Sequence, residues 1–190
     1  DSFLATHGLT KGMMRLIDEE TAEKLYGDMG PAVEISGGSA GNTAAGIASF
    51  GGRAAYFGKV KKDQLGDVFA HDLRAQGVNF DSQRATTGPA TARSFILVTP
   101  DGERTMNTYL GACVNLTKAD IDPAIVSTSK ITYLEGYLWD RPEAKKAFQL
   151  AAQIAREAGR KPAITLSDSF CVARYADSFL DLIRKTIAVV

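Results

Sequence analysis

Six consecutive residues, Gly37-Gly38-Ser39-Ala40-Gly41-Asn42, combine the side-chain types that let a small polar ligand approach the main chain. Glycine lacks a Cβ and reaches positive φ, so the backbone there can meet a ligand at close range. A helix opening at such a loop turns unpaired N–H groups and its positive dipole end toward it. The Asn42 carboxamide adds two donors and one acceptor, a set suited to a vicinal diol. A tight, closely packed corner would use the same residues, so the stretch points to a small-molecule site without naming the molecule. It is not a Walker loop, since no Gly-Lys-Ser/Thr follows, and it does not fit Gly-x-Gly-x-x-Gly.

The elements that must position this corner alternate along the chain. A β-like run at 32–36 precedes it and a small-residue helix at 43–50 follows. Earlier come a short helix at 2–8, a strand at 13–17, and a helix at 19–26 capped by Asp18 and closed by Gly27. Beyond Gly51-Gly52 a strand is expected at 54–58. Asp63 then reads as the N-cap of a helix whose Leu65, Val68, Phe69 and Leu73 trace mostly one face and which Gly77 stops. Asp63 reads as a cap rather than a catalytic group.

The pattern then changes. Runs at 92–99 and 103–110 flank Pro100-Asp101-Gly102, a strong turn signal, and predict a hairpin with no helix between its strands. Alternation resumes with strands at 131–134, 163–167 and 187–190, and helices from Pro142 to Glu157 and from 177 to 184. Such alternation predicts a mainly parallel sheet with helices on both faces and an antiparallel insert. Ligands of these sheets bind at the carboxyl ends of strands, so Gly37, Gly136 and Asp168 are expected on one rim.

Bulk properties bound the function. The chain has 190 residues, 45% hydrophobic and 23% charged, as in an ordinary globular domain. Zero formal net charge and no basic block disfavour nucleic acid or an anionic membrane. No apolar run approaches the roughly 20 residues that span a bilayer, and no signal peptide pattern opens the chain. Cys113 and Cys171 are isolated, which fits a reduced, cytoplasmic setting. His7 and His71 lie far apart, so no histidine-based metal site is expected. The chain starts without Met and stops in the apolar run Ile187-Ala188-Val189-Val190, and both ends read as cut from a larger polypeptide.

Gly37-Gly38-x-x-Gly41-Asn42, Gly51-Gly52, Gly58 and Asp63-x-x-Gly66 together resemble the first signature of the PfkB, or ribokinase-like, kinase family. The likeness covers nearly the whole chain. Within the family, Thr165-Leu166-Ser167-Asp168-Ser169-Phe170 and the run from Arg104 to Ala112 look like adenosine kinase segments. The resemblance implies a three-layer α/β/α fold with a small β-rich lid at about 10–18, 31–36 and 90–111. It implies phosphoryl transfer from ATP, with Mg²⁺, to a hydroxymethyl group, most closely adenosine to AMP. A sugar kinase for ribose, fructose or a related acceptor is the nearest alternative, and a non-catalytic ribosyl-binding module another.

In that reading Gly37, Gly38, Ser39 and Asn42 hold the ribose hydroxyls, in agreement with the diol argument. Arg104 approaches the phosphates, where an always-charged guanidinium offsets oxygen charge; without the family it would be an exposed strand arginine. Met14, Leu16, Leu110, Leu138 and Phe170 line an apolar pocket for a purine, although each alone reads as plain core. The family's catalytic aspartate, in a Gly-Ala-Gly-Asp segment, has no counterpart here, and neither does its first strand. No catalytic base is therefore assigned, most of the ATP site is missing, and this chain alone is expected to be inactive. Exposed lid edges allow a homodimer, which light scattering would test.

Overall fold

Caps and turns written into the sequence set the ends of the elements. In the computed structural model, which describes residues 1–190, α1 spans Ser2–Thr6, β1 Met14–Leu16 and α2 Glu19–Asp28. Next come α3 (Ser39–Ser49), α4 (Gln64–Ala75), β2 (Arg93–Val98), β3 (Arg104–Tyr109) and α5 (Pro123–Thr128). The chain closes with β4 (Ile131–Glu135), α6 (Pro142–Glu157), β5 (Lys161–Thr165) and α7 (Ser169–Lys185). Asp18, Asp63, Asp122 and Asp168 each accept a first-turn N–H of the helix they open, so α2, α4, α5 and α7 start on the same chemistry.

The first sheet has the order β1-β3-β2, with β1 parallel and β2 antiparallel to β3. Its register pairs Met14 with Met106, Leu16 with Thr108, Ile96 with Met106 and Val98 with Arg104. Side chains alternate across a strand, so these residues share one face and Arg15, Phe95, Thr105, Asn107 and Tyr109 share the other. That second face packs on α1 and α2, where Phe95 and Tyr109 join Leu4, Leu9, Ala22 and Leu25.

In the second sheet β4 and β5 run parallel from Ile131↔Lys161 to Glu135↔Thr165. Parallel strands need a crossover, and α6 supplies it. Its buried residues, Ala144, Ala147, Phe148, Ala151, Ala152 and Ala155, form one helical stripe that lets the helix lie close over the strands. The main core gathers here around Leu134, Trp139, Phe148, Ile164, Phe179 and Leu182. A third cluster, including Ala44, Val60, Leu73, Val78 and Phe80, lies between α3 and α4. No helix is long and apolar enough to cross a membrane.

These mixed and parallel sheets with covering helices are the expected ribokinase-like α/β arrangement. Several local expectations are corrected. Residues 32–36 form no strand: no neighbouring strand supplies partners, and Val33 and Ile35 stand 88% and 75% exposed. The expected strands at 54–58 and 187–190 are reduced to isolated parallel bridges, Ala55↔Asn79 and Ala163↔Val189. Helix α3 begins at Ser39 rather than 43, because Gly38 at φ 90° already acts as its N-cap. Helix α7 begins at Ser169 rather than 177, since Asp168 caps it through Cys171 N at 2.8 Å.

Candidate functional site

The glycine corner is open. A Cβ built on Gly37 or Gly38 meets nothing within 4 Å, and Gly38 holds the positive φ that glycine alone takes without cost. Asn42 N donates to Gly38 O at 2.8 Å and fixes the first helical turn. Gly41 and Ala44 are buried, with Gly41 facing the Phe69 ring of α4. Ser39 and Asn42, three residues apart and therefore neighbours on the helix, are left exposed on the other side. Ser36 N donates to Asp72 Oδ2 at 3.1 Å and ties the corner to α4.

The open face of the first sheet carries three of the predicted residues together. Met14 and Leu16 are 46% and 55% exposed, alongside Ile96 at 49% and Val98 at 65%. Arg104, exposed at the start of β3, lies on the same face opposite Val98. Beneath them, on the covered face, Arg15 Nε donates to Asn107 Oδ1 at 2.8 Å and Gly12 N donates to Thr105 Oγ1 at 3.0 Å. At the hairpin tip Lys11 Nζ reaches Asp101 Oδ2 at 2.7 Å. That ammonium, helped by the Thr99 hydroxyl, holds the Asp101 carboxyl down at about 2. Leu110 follows β3, half-buried, beside Gly111, whose Cβ would fall 2.2 Å from Ala90 O.

The third surface is the rim at the carboxyl ends of β4 and β5. Buried Glu135 accepts a 2.5 Å hydrogen bond from Ser167 Oγ, and Ser167 alone among non-glycine residues has a positive φ, 69°. Gly136 must stay without a side chain, since a Cβ would sit 2.5 Å from Thr165 O and 2.8 Å from Ser167 Oγ. Asp168 is held below its ordinary value, first by the Cys171 N–H. Leu138 packs half-buried against the core, whereas Phe170 is 69% exposed.

The predicted residues thus fall on three surfaces: the glycine corner, the apolar sheet face and the β4–β5 rim. Gly136 and Asp168 share a rim as expected. Gly37 follows no strand, so the carboxyl-end argument does not apply to it. A cavity of about 310 Å³ beside α2, lined by His7, Arg15 and Lys24 among others, and one of about 150 Å³ lined by Met13, Met14, Arg15 and Asn107 exclude the glycine corner. Asp63, as expected, caps α4 and also accepts from Thr91 N and Oγ1 at 2.9 and 2.6 Å. Burial raises its pKa, but these hydrogen bonds outweigh that and keep it lowered. No group of three or more His, Cys, Asp or Glu side chains converges as a Mg²⁺ donor set would.

Sequence reasoning missed the Glu135–Ser167 bond and the Arg15–Asn107 pair. Gly136 directly after a strand was the available signal for the first. The second depends on sheet register, which spacing alone does not give.

Residues 7–189 match the family model described as pfkB family carbohydrate kinase. The crystal structure of adenosine kinase from Sinorhizobium meliloti is 62% identical, with a TM-score of 0.89, covering 98% of this chain and 57% of that one. A probable sugar kinase protein from Rhizobium etli CFN 42 is 59% identical with the same TM-score, 0.89, covering 98% and 56%. Among curated proteins, "Probable fructokinase-6, chloroplastic" of Arabidopsis thaliana is 34% identical over 125 residues, 65% of this chain and 33% of the relative. The chain therefore spans a third of that relative and little more than half of either structure.

Proposed function

The chain belongs to the pfkB carbohydrate kinase family, and from that membership we propose that the complete gene product transfers a phosphoryl group from ATP to the hydroxymethyl group of a nucleoside, converting adenosine to AMP. The observation that carries the nucleoside reading is the open apolar face of the first sheet, where Met14, Leu16, Ile96 and Val98 stand exposed on one side. A flat, unpartnered apolar surface suits one side of a purine; a sugar would call for polar groups there. The 62% identity to the Sinorhizobium meliloti adenosine kinase supports the same acceptor. The probable sugar kinase at 59% identity supports a second reading, with ribose or fructose as acceptor.

In this reading each surface has a task. The glycine corner binds the acceptor: main-chain N–H groups at Gly37 and Gly38 and the side chains of Ser39 and Asn42 take the vicinal hydroxyls. The first sheet serves as a lid, laying its apolar face over the base and excluding water from the reaction. Leu138, Phe170 and Leu110 border the base from the rim and from the end of β3. Arg104, at the lid's tip and outside any ion pair of this chain, offsets the charge of the phosphoryl oxygens. ATP supplies the phosphoryl group, and no residue of this chain is assigned to Mg²⁺ or to proton abstraction.

The test is ATP consumption by the complete gene product with Mg²⁺, offered adenosine, ribose and fructose in parallel. Turnover with adenosine alone is expected. Turnover with a sugar alone keeps the fold and the corner but returns Leu138 to the core. Arg104→Ala should lower kcat by at least tenfold with a smaller rise in acceptor KM; the reverse split would remove its phosphate role.

A further inference from the structure

Helix α7 contains a break that its own sequence does not cause. Tyr175 has φ −133° and ψ 22°, outside the helical region, yet the helix holds neither proline nor glycine. Tertiary contacts must hold the break: Tyr175 packs against the main core, and a cluster of polar contacts gathers on its ring. Lys145 Nζ of α6 sits 4.4 Å from the centre of the Tyr175 ring and 5.5 Å from that of Trp139. Asp140 faces the Tyr175 hydroxyl and lifts its pKa, and it also pairs with Arg174 at 3.4 Å. On the far side of the break Trp139 Nε1 donates to Ser178 Oγ at 2.9 Å, and the indole stacks on Phe179.

Trp139 and Asp140 belong to the 3-10 turn Gly136–Asp140, which also carries Leu138. The detached first segment of α7, Ser169–Arg174, carries Phe170. One cation between two rings therefore ties together the two elements that present Leu138 and Phe170. We propose that Lys145, with Tyr175 and Asp140, is a positioning cluster that fixes the α7 break and so sets the spacing between Leu138 and Phe170, tuning selectivity for the acceptor. The inference rests on reading Phe170 as an acceptor-pocket residue. Lys145 itself does not touch the acceptor.

The test is a double-mutant cycle in the complete gene product, read with whichever acceptor it phosphorylates, together with amide hydrogen exchange. Lys145→Met keeps bulk and removes the cation. It should raise acceptor KM roughly three- to tenfold with kcat within twofold, the scale of a half-buried cation–π contact. In a Phe170→Ala background the same substitution should change KM by less than twofold, because Lys145 acts through Phe170. Lys145→Arg, which keeps the cation, should restore the wild-type KM. Exchange over 169–174 should quicken in Lys145→Met while 177–185 stay as in the wild type. The same KM factor in both backgrounds, or unchanged exchange over 169–174, overturns the proposal. If Phe170→Ala leaves every KM unchanged while exchange still quickens, the pocket reading fails and the clamp on the break stands. Should Lys145→Met unfold, Tyr175→Phe, which keeps the ring and removes the hydroxyl facing Asp140, is read in the same way.

Discussion

The two sheets spend their apolar residues differently. Helix α6 covers one side of β4 and β5 with its alanine stripe, leaving Ile131 and Tyr133 58% and 43% exposed, and the turn beyond the strands brings Trp139 to 1% exposure. The β1-β3-β2 sheet covers only one face, on α1 and α2, and leaves Met14, Leu16, Ile96 and Val98 in solvent. Burial of a large side chain stabilises by about 1.5–3 kcal/mol, so the β1-β3-β2 sheet forgoes folding energy that the β4-β5 sheet collects. In the proposed reading this open apolar surface is where the acceptor's base lies. The contrast separates residues that hold the fold from residues available to a ligand.

Substitutions on the two sides can break that contrast. Trp139→Ala should lower stability by about 3–5 kcal/mol in urea denaturation, as loss of a buried indole does; a cost under about 1 kcal/mol would mean that the second region is not the core. At the glycine corner, Asn42→Ala should weaken acceptor binding by about 1–3 kcal/mol in calorimetry while leaving the urea midpoint unchanged. Unaltered affinity would remove the diol assignment. Leu16→Ser on the open face should shift stability by no more than about 0.5 kcal/mol yet raise acceptor KM several-fold, and a large loss of stability would show the face to be buried after all.

The smallest effect lies at the hairpin tip. Asp101 titrates at about 2 rather than 3.8 because Lys11, then Thr99, favour its charged form. A folded-state value below the unfolded one means that the contribution is present above pH 3.8 and is lost as pH falls through about 2. Lys11→Met should move the NMR titration of Asp101 up toward its ordinary value; no movement would deny the pair any role in holding the tip.

Local chemistry was legible where one residue decides the outcome. Asp18 and Asp63 cap helices as their spacing indicates, and Pro100-Asp101-Gly102 turns the hairpin. Strands that depend on partners were not. The run at 32–36 has β-like composition, but a strand exists only where another lies beside it, and here none does. For the same reason 54–58 and 187–190 shrink to single bridges. Met14, Leu16 and Arg104 could be listed from the sequence, but their common face follows from register, which a single chain's spacing does not fix. The break at Tyr175 was invisible for a related reason: its cause lies thirty residues earlier, in Lys145.

The crowding around Gly136 also constrains how this scaffold could be re-engineered. Any side chain there would collide with Thr165 O and with Ser167 Oγ, so a mutagenesis library aimed at new acceptors gains nothing from randomising position 136. In the proposed reading, useful diversity lies at Phe170, which is 69% exposed and can change size without disturbing the core. A designer would hold Gly136, Ser167 and Glu135 as a fixed frame and vary only what that frame displays.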